Sequence, residues 1–141
     1  MEGMGDDRRA PMVWPTVRAR DARALIAFLV DVLGFEVVVV YGEGETVDHA
    51  ELAWPLGGGV MLGSARAGDE DRVAAPGTLS VYVACDDPDG LYQRASAAGA
   101  HIEVEPHDTD YGSRDVSVRD PEGNHWSFGT YRGAHHAGAA F

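Results

Sequence analysis

The residues best equipped for chemistry are His49 and Glu51, two apart, and a further histidine, His125. On a strand, side chains two apart stand next to one another on one face. His49, Glu51 and His125 are therefore candidate catalytic groups, as an acid–base cluster or as ligands of a metal ion. An ordinary polar strand face has the same pattern, so both readings stay open. Cys85 is the single cysteine and excludes an internal disulfide and cysteine-rich zinc patterns. It ends an apolar strand pattern, where a buried structural thiol is expected.

The element that best positions such groups is the hairpin within Tyr111–Tyr131. Val116 and Val118 alternate with Ser117 and Arg119, the period of a strand with one buried face. Asp120-Pro121-Glu122-Gly123 then has the Asp, Pro and Gly placement of a type I turn. Beyond it Trp126 and Phe128 share one face, opposite His125, Ser127 and Gly129.

Upstream, the chain from Met12 reads as a strand with Val13, Val17 and Ala19 on one side and Trp14, Thr16 and Arg18 on the other. Asp21 is placed as a helix N-cap, Leu25, Phe28, Leu29 and Val32 form an apolar stripe, and Gly34 ends the helix. Three strands are predicted next: Phe35–Tyr41, Val47–Trp54, and one with Val60 and Leu62 opposite Met61. The polar stretch Ala65–Pro76 reads as a linker. Then the order repeats: a strand with Leu79, Val81 and Val83 opposite Thr78, Ser80 and Tyr82, and a helix capped by Asp87 with Pro88 first. Leu91, Ala95 and Ala98 are its predicted stripe and Gly99 its end; a short strand, His101–Glu105, and the hairpin follow. Asp21 to Gly34 and Asp86 to Gly99 are equally spaced, which marks an internal duplication.

The fold class expected is α+β: two βαβββ modules, residues 12–64 and 77–131, forming a curved mixed sheet around a trough. Residues 65–76 link them, and 1–11 and 132–141 read as flexible tails, with His135-His136 as surface residues. The trough face would collect Trp14, Arg18, His49, Glu51, Met61, Ser80, Tyr82, Arg119, His125 and Ser127, a mixture suited to a small-molecule pocket. Tyr111 and Arg114 lie where a loop could close over it.

Acidic residues number 23 and basic residues 11, a net charge of −12 that argues against nucleic acid as a partner. No signal peptide is read at the N-terminus, and the longest apolar run, Ala24–Val30, is too short to span a membrane, so a cytoplasmic protein is expected.

Together, Val17-Arg18-Ala19-Arg20-Asp21, Leu33-Gly34-Phe35, His49-Ala50-Glu51-Leu52, Asp86-Asp87 and Asp120-Pro121-Glu122-Gly123-Asn124 resemble the vicinal oxygen chelate superfamily. That superfamily includes glyoxalase I, bleomycin-resistance proteins, fosfomycin-resistance enzymes and extradiol dioxygenases. The turn followed by Trp-Ser-Phe looks like the bleomycin-resistance and PhnB-like branch. In metal-dependent members four trough positions carry His or Glu; the resemblance puts those positions at Trp14, Met61, Ser80 (or Thr78) and Ser127. None of these is a good ligand for a divalent metal. The resemblance thus implies a homodimer without metal or other cofactor that sequesters an antibiotic-like aromatic or cationic small molecule. The alternative is a glyoxalase-like lyase, isomerase or dioxygenase using His49, Glu51 and His125.

Overall fold

The computed structural model describes residues 11–134. Its first module runs β1 (Thr16–Ala19), α1 (Ala22–Phe28), a π-helical turn (Leu29–Leu33), β2 (Glu36–Glu43), β3 (Thr46–Ala53) and β4 (Gly59–Ser64). The second runs β5 (Ser80–Ala84), α2 (Pro88–Ala97), β6 (His101–Asp108), β7 (Arg114–Arg119) and β8 (His125–Gly129). The strand orders, β1-β4-β3-β2 and β5-β8-β7-β6, are the same topology twice, each with its first strand parallel to its last. This is the α+β architecture of two βαβββ modules, as two four-stranded sheets.

Both helices start as their capping residues dictate. Asp21 accepts from the Ala24 amide at 3.1 Å and Asp87 from the Gly90 amide at 3.0 Å. The cap of the second helix is Asp87, so Gly34 stands one residue further from its cap than Gly99 does. The additional residue is taken up by the π-helical turn; the equal spacing holds from Asp86, which is not the cap. Gly34 ends that turn at φ +98°, a conformation costly for any side chain. The wider turn also changes which residues face inward: Ala22, Leu25, Leu29 and Leu33 are buried, while Phe28 and Val32 are only partly so. In α2 the inward face is Pro88, Leu91 and Ala95; Ala98 is exposed because the helix is already ending there.

α1 packs on β1, β3 and β4, and α2 on β6 and β7 and on the π-helical turn. The helix-covered faces of both sheets feed a single core. Four aromatic rings cross the module boundary within it. Phe35 lies 4.9 Å from Trp54 and 5.7 Å from Trp126, and Trp54 lies 5.6 Å from Phe128, centroid to centroid. Trp126 and Phe128 are fully buried, worth about 1.5–3 kcal/mol each in hydrophobic transfer. Val17, Leu52, Leu62, Val83, Val116 and Val118 complete the core as alternation predicts, with Leu79 and Val81 at its margin.

The Asp-Pro-Glu-Gly-Asn turn locks the modules together. The Gly123 amide donates to the Asp120 carbonyl at 3.0 Å, closing the turn. Glu122, buried beneath it, accepts from the backbone amides of Arg20 (2.8 Å) and Asp21 (2.9 Å) in the first module. Asn124 takes the Leu79 amide at 3.0 Å, fixing the approach to β5.

Several strand details differ from expectation. β1 begins at Thr16, and Val13 is exposed, because Pro15 interrupts the ladder. β6 continues through Pro106 to Asp108, which an edge strand tolerates. A register shift in β3 beside Tyr41 and Gly42 turns Val47 into the core with Ala50 and Leu52. Cys85 is buried, and burial pushes its thiol pKa up, as befits a structural cysteine. No helix among the described residues is long and apolar enough to cross a membrane.

Candidate functional site

Helices cover one face of each sheet, so the opposite faces remain open, and the predicted site residues divide between them. On the first sheet, β3 brings His49 and Glu51 together, with Nε2 2.9 Å from Oε2. An ionised carboxylate only accepts, so Nε2 is the donor. Tyr41, opposite His49 on β2, stacks on that imidazole at 6.4 Å between centroids. Met61 is flanked by Glu51 and Thr16 in the ladder. The Trp14 indole precedes β1, donates to the Pro11 carbonyl at 3.2 Å, and lies over Gly59. A methyl group at Gly59 would come within 2.8 Å of that ring and 2.3 Å of the Leu52 carbonyl, so the close approach requires glycine.

Arg18 is held at this face by the linker. Its Nε donates to Asp69 at 3.2 Å, and both side chains are largely buried. The stretch read as a linker therefore folds back on the first sheet, with Arg66 also reaching the Asp48 carbonyl at 3.1 Å.

On the second sheet, Ser127 pairs with Ser117 at 2.9 Å, and Ser80 lies beside His125 in the ladder. His125 Nδ1 is 2.8 Å from Glu103 Oε1, and Arg119 donates to Glu103 Oε2 from Nη2 at 2.7 Å and from Nε at 3.2 Å. Partial burial pushes the Glu103 carboxyl up, but the bonds from His125 and Arg119 outweigh it and hold the pKa below the usual range. A depressed folded-state pKa contributes stability above the unfolded value of about 4.3, lost as pH falls through the folded value. Acid titrations monitored by circular dichroism are expected to show stability falling more steeply below about pH 4.3 in wild type than in Glu103→Gln. Parallel curves would contradict this.

Tyr82 donates to the Tyr131 carbonyl at 2.5 Å; burial and nearby Asp115 raise its pKa, against a bond with Ser113. Tyr111 donates to Asp115 at 3.1 Å, and its ring meets Tyr131 edge-on at 5.7 Å. Arg114 departs from the expected lid. It shares the face of Val116 and Val118 and pairs with Asp89 of α2 at 2.8 Å and Asp108 at 3.1 Å, which raise its pKa further. The predicted cluster is also divided: His49 and Glu51 lie on one sheet and His125 on the other. No hydrogen bond among the described residues joins the open-face side chains of the two sheets.

Sequence alternation left Glu103 unremarked, although it stands opposite Ile102 in a strand of otherwise unassigned polar residues. A cleft at the seam between modules was also missed. It measures about 410 Å³ and is lined by Phe35, Trp54, Leu56, Val81, Tyr82 and Arg132, among others. Trp54 and Phe35 read as core because they are core as well; Trp54 Nε1 donates to the Ala84 carbonyl across the seam at 2.8 Å. Arg132, placed in a tail by sequence, pairs with Asp86. His135-His136 lies outside the described residues.

A profile of the Glyoxalase/Bleomycin resistance protein/Dioxygenase superfamily matches residues 12–128. The chain belongs to this superfamily. Among solved structures, TioX from Micromonospora sp. ML1 is 31% identical, with 83% of this chain and 97% of TioX covered and a TM-score of 0.66. A glyoxylase/bleomycin resistance protein/dioxygenase domain from Frankia sp. EAN1pec is 21% identical over 87% of this chain and 98% of that one, with a TM-score of 0.67. TnmS3, an antibiotic binding protein from Streptomyces sp. CB03234, is 22% identical over 80% and 88%, with a TM-score of 0.63. No curated protein matches the chain.

The superfamily's metal chemistry finds no matching donors here. Met61 adjoins Thr16, and Ser127 adjoins Tyr82, while Trp14 and Ser80 lie two residues earlier, Trp14 before β1 and Ser80 as the first residue of β5. These positions offer no imidazole, thiolate or carboxylate. Among the described residues no three His, Cys, Asp or Glu side chains converge as metal ligands. Among the described residues, the side chains at these positions do not fit a divalent ion.

Proposed function

We propose that this superfamily member is a small-molecule binding protein that sequesters a flat, antibiotic-like aromatic or cationic compound, as a homodimer and without metal. The observation that carries this reading is the composition of faces no helix covers: Trp14, Tyr41, Met61 and Tyr82 with a few fixed polar groups. Such a mixture of stacking surface and sparse hydrogen bonding suits an organic ligand. An aromatic stack contributes about 0.5–1.5 kcal/mol, and a cation over an indole a similar amount. The −12 charge raises the local concentration of a cationic ligand. Each open face is one wall, and a second copy would supply the facing wall. The sequence relationship to TioX and the fold shared with TnmS3 support the reading.

The seam cleft is a second location, favoured by a volume within the usual range for small-molecule pockets. Tryptophan fluorescence separates the two, with daunorubicin, a flat aromatic compound carrying an amino sugar, as probe. Binding on the open face predicts quenching that falls in Trp14→Phe and persists in Trp54→Phe. The reverse pattern would place the ligand in the cleft, and no quenching in any form would contradict the proposal.

A further inference from the structure

We propose that Glu103, His125 and Arg119 form a subsite that takes the proton from an acidic hydroxyl, a phenol or enol, of the bound ligand. This deepens the small-molecule reading and rests on it. Glu103 is the keystone: its side chain is 17% exposed, and both of its oxygens are engaged, one by His125 and one by Arg119. The carboxylate fixes the imidazole with hydrogen on Nδ1, leaving the Nε2 lone pair available on a ring that is 43% exposed. Arg119 spends Nε and Nη2 on Glu103, while Nη1 has no hydrogen bond to a described residue.

The charges suit the step. With a neutral imidazole, one carboxylate and one guanidinium cancel. The ligand O–H bond breaks as an N–H bond forms at Nε2; the O–H electron pair stays on oxygen. The resulting imidazolium faces Glu103, and the phenolate or enolate faces Arg119. Other groups around His125 are Ser80 on β5 and Ser127 on its own strand, with His101 beside Arg119 on β6.

The fold does not require this triad. Measured from the helix caps, Met61 and Ser127 occupy equivalent places, so Gly59 and Ala53 stand in the first module where His125 and Arg119 stand in the second. The same scaffold is thus built once with no such groups. Glu103 sits at a register shift in β6, between Ile102 and Val104, a device that re-aims a side chain.

The test uses 4-nitrophenol, whose phenolate is yellow, with 4-nitroanisole, which cannot ionise, as its partner probe. At about pH 6.5, where the free phenol is still mostly neutral, the bound phenol is expected to show the phenolate band. Glu103→Gln and His125→Ala, shown to be folded by circular dichroism, are each expected to lower the bound phenolate-to-phenol ratio about tenfold, one pKa unit. If 4-nitroanisole binds but the phenol binds only in its neutral form, or both variants keep the band, the proton-accepting role is overturned while ligand binding stands. If neither probe binds, both readings fall.

Discussion

Asp120→Ala is expected to lower the free energy of unfolding by about 3–5 kcal/mol. Asp120 is 4% exposed. Its Oδ1 accepts the amides of Glu122 (2.8 Å), Gly123 (2.9 Å) and Asn124 (3.0 Å). Its Oδ2 accepts Asn124 Nδ2 and Trp126 Nε1, both at 2.8 Å. Alanine would strand several of these donors away from water, and each unsatisfied buried group costs about 1–3 kcal/mol. The damage would spread, since the same turn positions Glu122 under Arg20 and Asn124 under Leu79. With a urea slope near 2 kcal/mol/M, the midpoint should fall by about 2 M. Asp120→Asn should lie between, because its carbonyl keeps one set of donors and its NH₂ opposes the other. A loss below about 1 kcal/mol in the alanine variant would contradict the assigned role.

Phe128→Ala is expected to cost about 3–5 kcal/mol, the range for deleting a fully buried ring. Its ring meets Trp54 across the module boundary. The variant should therefore unfold in one transition at lower denaturant, with both modules losing structure together. Urea melts followed by near- and far-UV circular dichroism would show this as coincident curves. Two separated transitions would mean the modules do not share the core described here.

Much of this architecture was legible because local signals agreed with the global fold. Asp21 and Asp87 announce helices, Gly34 and Gly99 end them, and Asp120 to Asn124 announces the last hairpin; each depends on backbone chemistry confined to a few residues. The inward set Val17, Leu52, Leu62, Val116, Val118, Trp126 and Phe128 follows from strand alternation alone. What alternation cannot reveal is where it breaks. The π-helical turn exchanged Phe28 for Leu33, and the β3 register shift sent Val47 inward, because each inserts a residue that no side-chain pattern marks. The β6 shift beside Glu103 is likewise unmarked in the sequence, although alternation alone sets Glu103 opposite Ile102. Ion pairs distant in sequence were equally hidden: nothing in Ala65–Pro76 says that Asp69 returns to Arg18, nor in Arg114 that its partner is Asp89. His49, Glu51 and His125 looked like one cluster because position along the chain gives a face but not which sheet's face.

Isothermal titration of chelator-treated protein with a panel of flat aromatic antibiotics, daunorubicin among them, tests the central claim most directly. Saturable binding of at least one compound at micromolar affinity or tighter, about −8 kcal/mol or better, is predicted, with the compound recovered unchanged and affinity indifferent to added divalent metal. Failure of the whole panel to bind, or conversion of a bound compound that chelation abolishes and metal restores, would contradict it.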